Sequence, residues 1–257
     1  RRLPKNSYSI VLSLSDKIDS LVGFFGINLK PTSSKDPFAI RRMAISLVRL
    51  IVENNLNIKI RDLINYSCVL YKEQNFNFEI KILQNDLVEF ILDRFKNYLK
   101  DKQIRNDIIE SSSSIYAVDE LLKIYKKSLT LNKNIKRNLG IDVVSIYKRS
   151  SSILSSERDN KSEIIGSADP GIFKNEFEKN LYKKIHVIRK YFSSSGREEN
   201  YEESLKMLSS AKDEVNAFFD NVIVNDDDPI IKKNRLELLK MLCKSFDSYF
   251  NFSKIEA

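Results

Sequence analysis

Three Asp-Pro pairs, Asp36-Pro37, Asp169-Pro170 and Asp228-Pro229, constrain this chain more than any other feature of its sequence. An aspartate accepts hydrogen bonds from the unpaired amides that open a helix, and a proline directly after it fixes φ where no N–H is missed. Each pair therefore predicts a helix start, with Asp36 as N-cap and Pro37 as first helical residue, and a long helix after each of the other two. Five prolines and six glycines in 257 residues leave few other turn signals. Leucine, isoleucine, lysine and glutamate recur in three- and four-residue steps where strands would need alternation. The expected fold class is all-α.

An apolar share of 42% is enough to build real cores, and the length suits two helical modules. Periodicity places helices at about 7–25, 58–72, 80–100, 115–130, 138–157 and 199–221, besides those opened by the Asp-Pro pairs. After Asp36, Ile40, Met43, Ala44, Leu47 and Ile51 share one face. Arg41 falls in a lane with Ile45, Val48 and Val52, so its guanidinium is expected at a core edge beside a carboxylate. Serines 111–114 read as a connector and the polar 193–197 segment as a turn. The expected organisation is residues 1–110, a connector over 111–137, and residues 138–257. Phe218 and Phe219 are expected to anchor the last helix through Leu236, Leu239, Leu242, Phe246 and Phe250.

Cys68 and Cys243 sit in apolar settings and read as reduced core residues with no disulfide. The single histidine, His186, reads as a helix-surface or boundary side chain and rules out most His-based metal and nucleophile arrangements within the chain. No apolar run approaches the roughly 18 residues of a membrane span, which makes a cytoplasmic location the expectation. There is no Gly-rich phosphate loop and no Ser-His or Cys-His pairing, so the chain on its own is expected to be non-catalytic.

The net charge of +8 is unevenly spread: residues 121–161 hold ten Lys or Arg against three acids. Such an excess attracts a polyanion through counterion release, although it also describes a solvated helix face. On a helical wheel Lys148 and Arg149 lie opposite Val143, Ile146 and Ile153. Tyr147 can stack an unpaired base or fill a core boundary. Lys136 and Arg137 belong to the same basic stretch. Arg235 shares a lane with Leu238, Leu239 and Leu242 and is expected in a structural ion pair with Asp220, while Asn234 faces more outward, to cap, pack or touch RNA.

The run Ser15-Asp16-Lys17-Ile18-Asp19-Ser20-Leu21-Val22-Gly23, followed by Ser33-Ser34-Lys35-Asp36-Pro37-Phe38-Ala39-Ile40-Arg41-Arg42, resembles the β subunit of the bacterial two-subunit glycyl-tRNA synthetases. Phe218-Phe219-Asp220-Asn221-Val222 with Asn234-Arg235-Leu236-Glu237-Leu238-Leu239 resembles that family's C-terminal anticodon-binding signature. Tyr147-Lys148-Arg149-Ser150-Ser151-Ser152-Ile153-Leu154 resembles the first helix of the same domain, with Ser150 and Ser152 where valine and asparagine are usual. The resemblance enters partway through that subunit, so the chain is expected to be its C-terminal portion.

The resemblance implies a partial HD-like helical module followed by a DALR-like anticodon-binding bundle. Asp16 would occupy the terminal metal-binding aspartate of HD proteins, whose His and His-Asp ligands this chain lacks. Asp16 and Asp19 are accordingly expected to pair with Lys17, Arg41 or Arg42. The implied function is binding of tRNA(Gly), with Tyr147, Lys148, Arg149, Asn234, Lys136 and Arg137 as candidate contacts. Glycylation itself, with ATP and Mg, would take place on the α subunit of an α2β2 assembly. The competing readings are an HD-type metal-dependent nucleotide phosphohydrolase and a non-catalytic helical scaffold.

Overall fold

A computed structural model describes residues 3–32, 35–76, 78–113, 119–157, 165–194 and 200–256. Ser33 and Ser34 of the helix-start motif, Ser114 of the connector, Arg158 and Lys161 of the basic stretch, and residues 195–197 of the expected turn lie outside them. The described residues form helices and turns and no strand. They divide into two compact units, one of residues 1–109 with 113–126 and one of residues 110–112 with 127–257.

In the first unit α1 (Ser7–Gly26), α2 (Ile40–Glu53), α3 (Ile60–Glu73) and α4 (Ile80–Asp101) pack on one another, with α1 against each of the other three. Their apolar stripes meet in a core of Leu21, Val22, Ile40, Leu47, Ile51, Ile60, Ile64, Leu87 and Ile91, all essentially inaccessible to solvent. The short α5 (Asn106–Ser113), which takes Ser111 to Ser113 of the expected connector into a helix, and α6 (Leu121–Asn134) follow, and both helices have residues assigned to each unit.

The scarcity of glycine is explained at the helix ends. Asn28, Asn55, Asn75 and Gln103 take positive φ directly after the C-caps of α1 to α4. At each end the next residue, Leu29, Leu56, Phe76 or Ile104, donates its N–H back to a carbonyl of the last turn, at 2.8, 2.9, 3.0 and 3.2 Å. These are Schellman closures in which asparagine, the residue after glycine most tolerant of left-handed backbone, supplies the stop at three ends and Gln103 supplies it at the fourth.

The Asp36 motif is used differently from expectation. Pro37 and Phe38 form a turn closed by the Ala39 N–H on the Asp36 carbonyl at 3.1 Å, and α2 begins only at Ile40. The Asp36 carboxylate reaches across that turn to the amides of Ile40 (2.7 Å) and Arg41 (3.1 Å). It caps the helix from four residues away because Ala39, at φ 58°, folds the chain back.

The second unit contains α7 (Asn138–Ser156), α8 (Glu176–Ser193), α9 (Tyr201–Ser209), α10 (Lys212–Asn221) and α11 (Pro229–Asp247). α11 packs on α7 and α8, and from Asn234 to Phe246 almost every residue is buried, as expected of a central helix. Asp228 caps it and Pro229 is its first residue, as the sequence predicts. After Asp169-Pro170 comes only a three-residue 3₁₀ turn, and α8 starts at Glu176 behind an Asn175/Glu178 capping box. The helix expected over 199–221 is two helices with a break at Ser210-Ala211. There the Ser210 hydroxyl bonds back to the Met207 carbonyl at 2.7 Å, and Ala211 is fully buried.

Candidate functional site

The basic stretch folds into a corner. Lys133 lies in the last turn of α6, and Lys136 and Arg137 lead into α7. Gly140 sets the angle of that corner: a Cβ there would collide with the Asn134 carbonyl and the Ile135 Cα, so only glycine lets the first turn of α7 lie on the end of α6. Lys133, Lys136 and Arg137 are exposed. None has a side-chain hydrogen bond or ion pair to a described residue, which leaves three cations grouped around a helix start for an outside anion.

Further along α7 the expected contacts separate. Tyr147 is a core residue, 6% exposed, with its ring 6.1 Å from that of Phe246 and 5.8 Å from that of Phe252. This removes the stacking option. Lys148 is half-buried. Arg149 is exposed yet occupied: it lies 4.4 Å over the Phe219 ring, donates to Asn216 Oδ1 at 3.3 Å and stands 3.6 Å from Asp220. With Lys212 on Asp142 at 2.7 Å it closes the seam between α7 and α10. Asp220 is thus the partner of Arg149 rather than of Arg235. Ser150 is buried and bonds back to the Ile146 carbonyl, while Ser152 bonds to the Arg149 carbonyl.

The Asn234-to-Leu239 signature is a set of clamps. Asn234 is buried, contrary to the outward position expected, and its amide accepts from the Asp169 N–H (2.7 Å) and donates to the Asp169 carbonyl (3.0 Å). Glu237 accepts the amides of Ile165, Gly166 and Ser167; Gly166, at φ +79°, supplies the left-handed turn that converges them. Arg235 donates to Glu178 Oε1 at 2.7 Å, to Asp226 Oδ2 at 2.6 Å and to the Ile223 carbonyl at 2.8 Å. Glu178 Oε2 in turn accepts the amides of Lys174 and Asn175. A single turn of α11 therefore fixes the 165–169 loop, the 223–226 loop and the start of α8.

In the first unit Asp16 lies 3.4 Å from Lys17 and is largely exposed. The Asp19 carbonyl accepts from the Tyr71 hydroxyl at 3.1 Å. Arg41 is half-buried as expected, but its guanidinium binds the Thr32 carbonyl instead of a carboxylate. Among the described residues no three His, Cys, Asp or Glu side chains come together as metal ligands. No described helix is long and apolar enough to cross a membrane. Both cysteines are free and buried; burial raises the Cys68 thiol, and burial with the charge of Asp247 pushes Cys243 up to about 12.

A second cationic surface escaped the sequence reading. On α8, Lys179, Lys183, His186 and Lys190 are exposed on the face opposite Leu181, Ile185 and Ile188. The His186 ring stacks edge-on with Tyr182 at 4.4 Å. The four-, three- and four-residue spacing of these side chains was a usable signal; the larger charge excess over 121–161 masked it.

Residues 1–114 match the family model "Glycyl-tRNA synthetase beta subunit", and residues 143–257 match "DALR anticodon binding domain". The chain is 34% identical over 254 residues to the glycine-tRNA ligase beta subunit of Rickettsia canadensis, covering 97% of this chain and 36% of the relative. It is 34% identical over 254 residues to that of Rickettsia africae, with 98% and 36% covered. For Rickettsia typhi the figures are 34% over 246 residues, with 95% and 35% covered. The chain thus spans about a third of the length of these curated relatives.

Proposed function

We propose that this chain, whose first 114 residues belong to the glycyl-tRNA synthetase β-subunit family and whose residues 143–257 belong to the DALR anticodon-binding family, is the tRNA-binding C-terminal part of a glycine-tRNA ligase β subunit. It acts in the cytoplasm and holds tRNA(Gly) so that the α subunit of an α2β2 assembly can attach glycine, with ATP and Mg used at that partner. The chain's own contribution is positional. Phosphate contacts by lysine and arginine fix the register of a nucleic acid without reading its sequence. Affinity spent at a site remote from the reacting ester raises the rate by docking the substrate productively.

The observation that carries this reading is the corner of Lys133, Lys136 and Arg137, exposed and without a side-chain partner among the described residues, in the compact unit that also holds residues 143–257. The test is the salt dependence of RNA binding. Each phosphate contact contributes a slope of about −0.9 on duplex or −0.7 on single-stranded RNA in log K against log salt. Replacing Lys136 and Arg137 by Ala should make the slope shallower by roughly 1.4 to 1.8. An unchanged slope would favour a scaffold whose basic face only keeps it dissolved.

A further inference from the structure

A cavity of about 290 Å³ opens in the second unit among the C-terminal parts of α8 and α11, the first turn of α9 and Lys127 of α6. Its lining is chemically lopsided. Lys127, Arg189 and Lys244 contribute three cations, five serines and three aromatic side chains complete the wall, and no carboxylate is among the described residues that line it. The cations are placed differently. Arg189 is exposed with no partner among the described side chains, Lys127 stands 5.3 Å from the Tyr249 ring, and Lys244 is tied to the Ile165 carbonyl at 2.5 Å. Arg189 is the group best able to turn onto an incoming anion, and a guanidinium grips a phosphate through two parallel bonds.

The serines specify the other end of the ligand. Ser245, 1% exposed, donates to the Met241 carbonyl at 2.9 Å, and Ser194 donates to the Tyr191 carbonyl at 2.9 Å. Ser204 donates to the Asn200 carbonyl at 3.3 Å. Ser204 also lies 3.4 Å from the Tyr191 hydroxyl, which meets its lone pair within the wall; Ser194 and Ser245, with their protons committed to their own helices, keep lone pairs that can accept from a ligand. Inorganic phosphate satisfies the cations and brings an O–H donor, but it has no flat face for the aromatic part of the wall. A nucleotide offers both a phosphate and ring or amino N–H groups, with a flat base for Tyr201 and Phe192 to flank. The volume lies at the small end of ligand sites, about 300 Å³.

We propose that this cavity is a nucleotide-binding site that takes one nucleoside 5′-phosphate unit, its phosphate on Arg189 and Lys127 and its base against Tyr201 and the serine hydroxyls. The unit is either a free mononucleotide or one nucleotide of a bound RNA strand. The site stands independently of the reading proposed above, because it requires only the cavity.

Calorimetric titration of the 257-residue chain with the four nucleoside 5′-monophosphates, the matching nucleosides and inorganic phosphate tests it. At least one monophosphate should saturate a single site about tenfold more tightly than its nucleoside or phosphate alone. Arg189→Ala should weaken it by about tenfold, and Arg189→Lys should recover part of the loss. Lys127→Met, which keeps the side-chain volume, should weaken it also. Absence of saturation by all four, phosphate binding as tightly as the nucleotide, or wild-type affinity in both Arg189→Ala and Lys127→Met would overturn the proposal. An RNA hairpin that displaces the nucleotide identifies the occupant as part of an RNA strand; simultaneous binding identifies a free nucleotide. Loss of hairpin binding with nucleotide binding intact would count against the tRNA reading and leave this site standing.

Discussion

The Arg235 guanidinium and the Glu178 carboxylate meet at 2.7 Å with both side chains almost wholly buried, and every oxygen of that carboxylate is engaged. Removing one partner of such a pair strands the other charge in a low-dielectric core, at a cost of about 3–5 kcal/mol. Arg235→Ala should therefore lower the urea midpoint substantially and release the start of α8. A loss under about 1 kcal/mol would show that the pair contributes little beyond geometry.

Acid sensitivity follows from Asp226. The backbone N–H of Asp228, and after it the Arg235 guanidinium, hold this carboxyl below the usual carboxylate range. In the first unit Arg49 does the same to Glu53. Because these folded pKa values are depressed, the stabilisation is present above the unfolded value near about 4 and is lost as pH falls through the folded values. Thermal midpoints between about pH 7 and pH 2 should decline in that window, and Asp226→Asn should remove part of the decline. An identical acid profile in the variant would contradict the assignment.

Gly140→Ala sets helix propensity against packing. Alanine gains up to about 1 kcal/mol in a free helix, but here its methyl meets backbone atoms of Asn134 and Ile135, which cannot swing aside. Overpacking of this kind costs about 1–3 kcal/mol, so the variant should unfold at a lower temperature and bind RNA more weakly as the basic corner is displaced. A more stable variant would mean that the corner is not set by this contact.

Arg149→Ala separates a clamp from a phosphate ligand. The side chain is partly exposed, so solvent screening limits the loss of its contacts with Phe219, Asn216 and Asp220 to about 1 kcal/mol. The salt slope of RNA binding should not change. A slope shallower by about 0.7 or more would return Arg149 to the set of phosphate contacts.

Much of the helical framework was legible because it rests on local chemistry. The three- and four-residue steps in α1, α2, α7 and α11 and the Asp228-Pro229 cap depend only on neighbours in sequence. Asp36 misled by one turn, since Ala39 at φ 58° looks like an ordinary helix former and nothing local announces its left-handed backbone. The break at Ser210-Ala211 lacks glycine or proline and so left no mark. For Arg235 the sequence showed that a cation faced the core, but its partners Glu178 and Asp226 are brought in by tertiary packing. Tyr147 is a case where composition suggested two roles and burial decided between them.

Whether this chain holds tRNA(Gly) is decided by a filter-binding titration with tRNA(Gly) and with a scrambled hairpin of equal length at the same salt. tRNA(Gly) should bind more tightly than the hairpin, and Lys136→Ala/Arg137→Ala should weaken both ligands. Equal affinity for the two RNAs, untouched by that double substitution, would contradict the tRNA reading.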